Sequence, residues 1–187
     1  MKRALFLDRD GIINEDRHYV HRIEDFHFID GIFDICRAAV EAGLVIIVVT
    51  NQAGIGRGLF TEREFHTLTD WMTAQFADQG VKIDQVYYCP HHWEHGIGEY
   101  KRDCLCRKPK PGMILQARDE HGICVQNSIL IGDKDWDIRA AKTAGVGTTV
   151  LISDGDTEPD PRPEFHFKNL RDAANLMRYP RWWFKLR

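Results

Sequence analysis

The chain lacks any apolar run approaching the roughly 18 residues that a membrane-spanning helix needs. Its amino terminus, M-K-R-A-L-F-L-D, starts basic but is apolar over only four residues, 4–7, too few for the core of a signal peptide. It also lacks an excess of one charge: 25 Lys and Arg against 28 Asp and Glu leave a net charge of −3. That gives no electrostatic footprint for nucleic acid. No internal repeat or low-complexity tract is present. Together these absences predict a cytoplasmic protein, with no membrane span and no nucleic-acid partner. Its five cysteines are then expected to stay reduced, free for metal binding or core packing. With 187 residues, 43% apolar and 28% charged, the chain is expected to form one monomeric domain with an elaboration.

The richest stretch is A-L-F-L-D-R-D-G at residues 4–11. A short apolar run of this kind reads as a buried strand, delivering Asp8 and Asp10 to its carboxyl end. Residues two apart on a strand share a face, about 6 to 7 Å along it, and a tightening at Gly11 can bring the carboxylates nearer. One can then attack while the other handles a proton, with a hard cation damping their repulsion. The competing reading is a polar turn after a strand.

The remainder alternates. Residues 14–28 hold His18, His21 and His27 without a clear period and read as a loop or flap. Ile32, Ile35, Cys36, Ala39 and Val40 form an amphipathic helical stripe closed by Gly43, with Cys36 in the core. Residues 44–49 are a central strand ending at Thr50, followed by the Gly-rich T-N-Q-A-G-I-G-R-G. Thr61-Glu62-Arg63-Glu64 is a capping box for a helix with Phe65, Leu68, Met72 and Phe76 inward, ending near Gly80. A third strand is predicted at 86–88 and a polar insert at 89–110. A helix follows from Pro111 to Gly122, with Pro111 in its first turn, and Cys124 beyond it is expected to be buried and inert. A strand at 128–131, a helix at 137–144, a strand at 148–152, a turn-rich linker at 154–164, an edge strand at 165–167 and a helix at 170–177 complete the order. This alternation predicts an α/β fold, a Rossmann-like parallel sheet with helices on both faces.

In a parallel sheet the carboxyl ends of all strands lie on one edge. Asp8, Asp10, Thr50, Cys89 and Asp133 should therefore converge. The Thr50 hydroxyl and the amides after it can hold phosphate oxygens, the alternative being a turn cap. Gly132-Asp133-Lys134-Asp135-Trp136-Asp137 adds carboxylates that suit Mg²⁺, with Asp135 preferred as a helix cap. Cys89-Pro90-His91, a twelve-residue gap, then Cys104-Leu105-Cys106 supply a Cys₃His zinc set. Spacing leaves His91, His92 and His95 open as the fourth ligand. The second arm runs into Arg107 and Lys108, which can clamp a phosphate or be a solvated basic run.

The motifs D-R-D-G at 8–11, T-N at 50–51, K-P at 108–109 and G-D-K-D-W-D at 132–137 resemble the haloacid-dehalogenase-like phosphatases. The resemblance implies Asp8 as nucleophile, Asp10 as acid and then base, and Thr50 and Lys108 as stabilisers of the phosphoryl group. Mg²⁺ would lie on Asp8, Asp133 and the Asp10 carbonyl. Within that superfamily F-I-D-G, Y-Y-C-P-H-H and C-R-K-P-x-P-G-M are most similar to the D-glycero-D-manno-heptose 1,7-bisphosphate 7-phosphatases of lipopolysaccharide precursor synthesis, over residues 4 to about 153. That likeness implies structural zinc on Cys89, His91, Cys104 and Cys106 in a loop at about 89–108. It implies substrate contacts at Asp16, Arg17, His18, Tyr19, Asn51, Gln52, Ala53, Arg107 and Lys134. Histidinol-phosphate phosphatases share the scaffold but have a shorter gap between the ligand pairs. A phosphoacceptor receiver domain is the non-enzyme alternative. It places its acceptor after a later strand and carries no metal insert. Two departures stand out: Ile12 where Thr is usual, and an extension from about 154 ending in W-W-F-K-L-R, read as folding back on the domain rather than as a membrane anchor.

Overall fold

Alternation at period two decides which side of a sheet each apolar residue serves, and here it builds two cores. A computed structural model describes residues 1–155 and 160–177. Six parallel strands, β1 (Arg3–Leu7), β2 (Leu44–Asn51), β3 (Ile83–Cys89), β4 (Ile129–Gly132), β5 (Thr148–Ile152) and β6 (Phe165–Phe167), are ordered β3-β2-β1-β4-β5-β6. Leu5, Leu7, Ile46, Val48, Ile129 and Ile131 face one side. There they meet α1 (Ile32–Glu41), α3 (Glu62–Asp78) and α6 (Leu170–Met177). Ala4, Phe6, Ile47, Val49 and Leu130 face the other, against α4 (Gly112–His121) and α5 (Asp135–Ala144). The Rossmann-like α/β expectation matches this architecture, and the short helix α2 (Ala53–Gly56) lies within the Gly-rich loop.

β1 is central and pairs with β2 on one side and β4 on the other. The strand order reverses at β1/β4, the crevice where open α/β sheets bind ligands. Asp8 follows β1 and Asp133 follows β4, so both carboxylates stand at that crevice.

Several boundaries differ from expectation. β3 begins at Ile83, earlier than 86, because its polar residues lie on an edge strand. α5 begins at Asp135 rather than 137: Asp135 is its first residue, and the backbone N–H of Lys134 is capped by the Asp137 carboxylate at 3.1 Å. Pro111 is the N-cap of α4, one position before its first turn. Cys124 is half-buried, its thiol near Gln126, because it sits in the turn before β4. Val40 lies at the margin of its stripe and is exposed. The capping box holds, with Thr61 accepting from the Glu64 N–H and Glu64 reaching back to Thr61. Cys36 is fully buried, and burial pushes its thiol well above the ordinary range. Among the described residues no helix is long and apolar enough to cross a membrane. The W-W-F-K-L-R tail and residues 156–159 of the linker lie outside the described residues.

Where the linker rejoins the sheet, Glu164 accepts from Thr149 N–H (2.7 Å), Thr149 O–H (2.6 Å) and Lys142 Nζ (2.8 Å). Burial raises its pKa, but these donors outweigh it and hold the carboxyl below its usual 4.5. A lowered folded-state pKa contributes stability in full above the unfolded value and loses it as pH falls through the folded value. Glu164→Gln should therefore cost about 1 kcal/mol at neutral pH, a modest figure because the group is partly exposed. In urea unfolding, the gap to the unsubstituted protein should close in acid below about pH 4. A gap that persists there would contradict this assignment.

Candidate active site

The turn after β1 comes so close to β4 that a Cβ on Gly11 would lie 2.2 Å from Asp133 Oδ2, and its φ of +89° also demands glycine. A Cβ on Gly132 would meet Asp137 at 2.3 Å. These two glycines let three carboxylates gather. Oxygen atoms of Asp8, Asp133 and Asp137 all lie within 4.8 Å of one another.

Lys108 enters this cluster almost fully buried, ion-paired to two carboxylates and hydrogen-bonded to a backbone carbonyl. Nζ reaches Asp137 Oδ1 at 2.6 Å, Asp8 Oδ1 at 2.9 Å and the Val49 carbonyl at 2.8 Å. Asn51 fixes the approach of Lys108, since its amide donates to the Lys108 carbonyl (3.1 Å) and accepts from the Lys108 N–H (3.0 Å). Asp8 Oδ1 also accepts from the Arg9 N–H at 2.7 Å, which leaves Oδ2 as the oxygen without a protein donor among the described residues. Burial, then the Asp137 charge, push Asp8 from 3.8 up to about 7 against the pull of Lys108. Burial and Asp8 likewise raise Asp133 to about 6. Asp137 is raised because its burial outweighs Lys108. Burial works against the Lys108 charge, but Asp137 and Asp8 outweigh it and raise its pKa.

Asp10 is turned away from this triad. Its carboxylate accepts from Arg9 Nη2 (2.8 Å), Asn14 Nδ2 (3.0 Å) and Gln52 Nε2 (2.9 Å). Gln52 also donates to Thr50 Oγ1 at 2.9 Å, so the Thr50 hydroxyl keeps its own proton to donate. Arg9 is 1% exposed, lies over the Phe65 ring and holds the loop through the Val20 carbonyl at 2.7 Å.

These groups line a cavity of about 480 Å³. Of the expected contact residues, Asp16, His18, Tyr19, Asn51, Gln52, Ala53, Arg107 and Lys134 also line it. Gln52 and Asn51 spend their amides on neighbouring protein groups, as given above. Arg17 does not line the cavity: its guanidinium is turned to Glu15 at 2.6 Å. Two participants were not expected. Asp137 shares the G-D-K-D-W-D motif with Asp133, and one helical turn between them was the available signal. Arg9, between the two aspartates, carried no signal, since an arginine beside an acidic pair reads as solvated.

The insert gathers its soft ligands. Cys106 Sγ lies 3.2 Å from Cys89 and from Cys104, Cys89 lies 3.4 Å from Cys104, and His91 Nδ1 is 3.4 Å from Cys106. A tetrahedral site with Zn–S near ~2.3 Å has edges of about 3.8 Å, so small outward shifts would admit the ion. A metal on Nδ1 leaves the proton on Nε2, and Arg102, whose Nη2 is 2.7 Å away, would turn aside. His92 accepts from the N–H groups of Glu94 and His95, so among the three histidines His91 faces the sulfurs. Arg107 extends from this arm and donates to the His91 carbonyl at 3.1 Å.

Residues 105–173 match the HAD-hydrolase-like family model. The chain is 55% identical to the D-glycero-beta-D-manno-heptose-1,7-bisphosphate 7-phosphatase of Vibrio cholerae, covering 82% of this chain and 83% of that protein. It is 57% identical to the D-glycero-alpha-D-manno-heptose-1,7-bisphosphate 7-phosphatase of Burkholderia mallei, over 82% of each. Among solved structures, the D,D-heptose 1,7-bisphosphate phosphatase of B. bronchiseptica, complexed with magnesium and phosphate, aligns with a TM-score of 0.77 at 26% identity. That alignment covers 95% of this chain and 98% of the other. A putative HAD-like phosphatase of Mesorhizobium loti aligns with a TM-score of 0.84 at 31% identity, covering 95% of this chain and 86% of that one.

Removing the cation from between two buried carboxylates leaves uncompensated charge. Lys108→Met should lower stability by about 3 kcal/mol or more in urea unfolding at neutral pH. Lys108→Met/Asp137→Leu should be less destabilised than the single variant. Equal losses in the two would show that the ion pair is not what holds Lys108.

Proposed function

The chain belongs to the haloacid-dehalogenase-like hydrolases and is a phosphoric monoester hydrolase, and from that premise we propose that it removes the 7-phosphate of D-glycero-D-manno-heptose 1,7-bisphosphate. The observation that carries the proposal is the pairing of Asp8, with one free carboxylate oxygen, and Lys108 at the β1/β4 crevice, beside a separately held Asp10. Asp8 Oδ2 attacks phosphorus, the bond from phosphorus to the sugar oxygen breaks, and the Asp10 carboxyl delivers a proton to that oxygen. Water then attacks the aspartyl-phosphate and passes a proton to Asp10. Phosphate leaves and Asp8 is restored. Thr50 donates its hydroxyl to a phosphoryl oxygen, and Lys108 contributes charge while keeping Asp8 Oδ1 in place.

The donor set fits Mg²⁺. Asp133 Oδ1 is buried without a hydrogen-bond partner, and a hard cation suits an all-oxygen cluster. Asp8 and Asp133, with the Asp10 carbonyl, would hold the ion. Bound there, Mg²⁺ supplies charge that offsets the repulsion between the carboxylates and an incoming phosphate. Zn²⁺ on Cys89, His91, Cys104 and Cys106 would hold the 89–108 loop, and with it Arg107 and Lys108. In this reading residues 1–187 act as one unit, a monomer working in the cytoplasm on a phosphorylated sugar. Asp16, His18, Tyr19, Asn51, Gln52, Ala53, Arg107 and Lys134 surround that substrate. Relatives named for the beta and the alpha anomer are similarly identical to the chain, so anomer choice is a matter for kinetics.

Asp8→Asn should release no phosphate from either heptose bisphosphate anomer while melting like the unsubstituted protein; full turnover would end the mechanism. Histidinol phosphate belongs in the same assay, and a clear preference for it would overturn the substrate. Cys104→Ser should lose zinc, measured by atomic absorption, together with stability and activity. Normal metal content in that variant would remove the zinc assignment.

A further inference from the structure

Charges of both signs line the cavity. Asp8, Asp10 and Asp133 stand there with the ion-paired Lys108, and Arg57 and Arg107 line it as well. Lys134 is spent on Asp133 at 2.6 Å. Neither Arg57 nor Arg107 has a carboxylate partner among the described residues. Arg107 donates to the His91 carbonyl, and Arg57 Nη1 donates to the Tyr19 hydroxyl at 2.5 Å. Arginines in a cavity without counter-charge are what an anionic ligand group requires.

Arg57 is not merely loose. It is the C-cap of α2, the short helix that follows Gln52, and its guanidinium carbon lies 5.5 Å from the centroid of the Tyr19 ring. Tyr19 and His18 both have left-handed backbones, with φ of +58° and +59°, a strained conformation for two consecutive non-glycine residues. Strain of this kind concentrates where side-chain placement matters for ligands. The contact with Tyr19 uses one of five guanidinium N–H donors and leaves a planar face of donors for a phosphate.

We propose that Arg57, steadied by Tyr19, is a specificity-determining residue that receives the non-reacting phosphate of a sugar bisphosphate. The proposal rests on the bisphosphate reading above and deepens it. A second dianion is repelled by the carboxylates, so it must lie away from Asp8 and Asp133. Arg57 and Arg107 are the arginines that line the cavity, and neither has a carboxylate partner among the described residues. Their pairing with a distal phosphate also orients the reacting one toward Asp8. Monoesters without the second phosphate gain nothing from Arg57.

Steady-state kinetics of the full chain with Mg²⁺ test this, using the heptose bisphosphate and para-nitrophenyl phosphate. In Arg57→Ala the ratio of the two kcat/KM values should fall at least tenfold, chiefly through KM for the bisphosphate. Arg57→Lys should fall between the two, because it keeps charge without the planar donor pair. Tyr19→Phe, which keeps the ring and removes the hydroxyl, should lower the ratio less than Arg57→Ala. An unchanged ratio in Arg57→Ala, or equal losses on both substrates, overturns the role of Arg57. Unsubstituted protein that shows no preference for the bisphosphate overturns the bisphosphate reading and this proposal together.

Discussion

One ammonium group holds the site together. Lys108 is buried between Asp8 and Asp137 and capped by the Val49 carbonyl. A buried cation is costly alone, and so are two buried carboxylates; each becomes tolerable because the others are there. The cluster still carries an excess of negative charge once Asp133 is counted. Burial first, and that excess second, raise Asp8 to about 7 and Asp133 to about 6. A group of carboxylates left short of positive charge by one cation is in the right state to take up another.

The constraint reaches outward through the backbone. Lys108 is held in register by the two-way hydrogen bonds of Asn51, the last residue of β2. Its chain neighbours Cys104 and Cys106 meet Cys89, the last residue of β3. Two adjacent strands therefore locate one side chain, and the Cys-rich insert acts at a distance by limiting where residue 108 can be. Asp10 lies outside this network because Arg9, Asn14 and Gln52 bind it on the other side of β1. Asp8 and Asp10, two residues apart, thus have separate supports.

Much of this was legible in the residues. The strand ends at Asp8, Thr50, Cys89 and Asp133, the capping box at Thr61 and the sulfur set all follow from short-range rules that local sequence obeys. What was not legible depended on tertiary placement. Asp137 was one acid among several in a helix start, and only the fold shows it fully buried against Lys108. Arg9 drew no reading from the sequence, yet it is buried, its guanidinium over the Phe65 ring and bonded to the Val20 carbonyl. Gln52 and Asn51 were read as reaching for substrate, but their amides are consumed by Asp10, Thr50 and Lys108. Polar residues near a site are easier to place there than to assign a direction, since direction depends on which partner arrives from elsewhere.

The same distinction separates chemistry from recognition. Asp8, Lys108 and Asp137 are buried, mutually paired and placed by strand ends, so their arrangement tolerates little change. Arg57 lies after a four-residue helix, and Tyr19 lies on a loop with no regular structure. Their geometry is held by one hydrogen bond, one stacked ring and a strained backbone. Loops can diverge without disturbing the sheet, so residues that choose a substrate belong on them. Arg57 and Tyr19 can therefore change partners at less cost to the fold than Lys108 could, because no strand end and no buried ion pair depends on them.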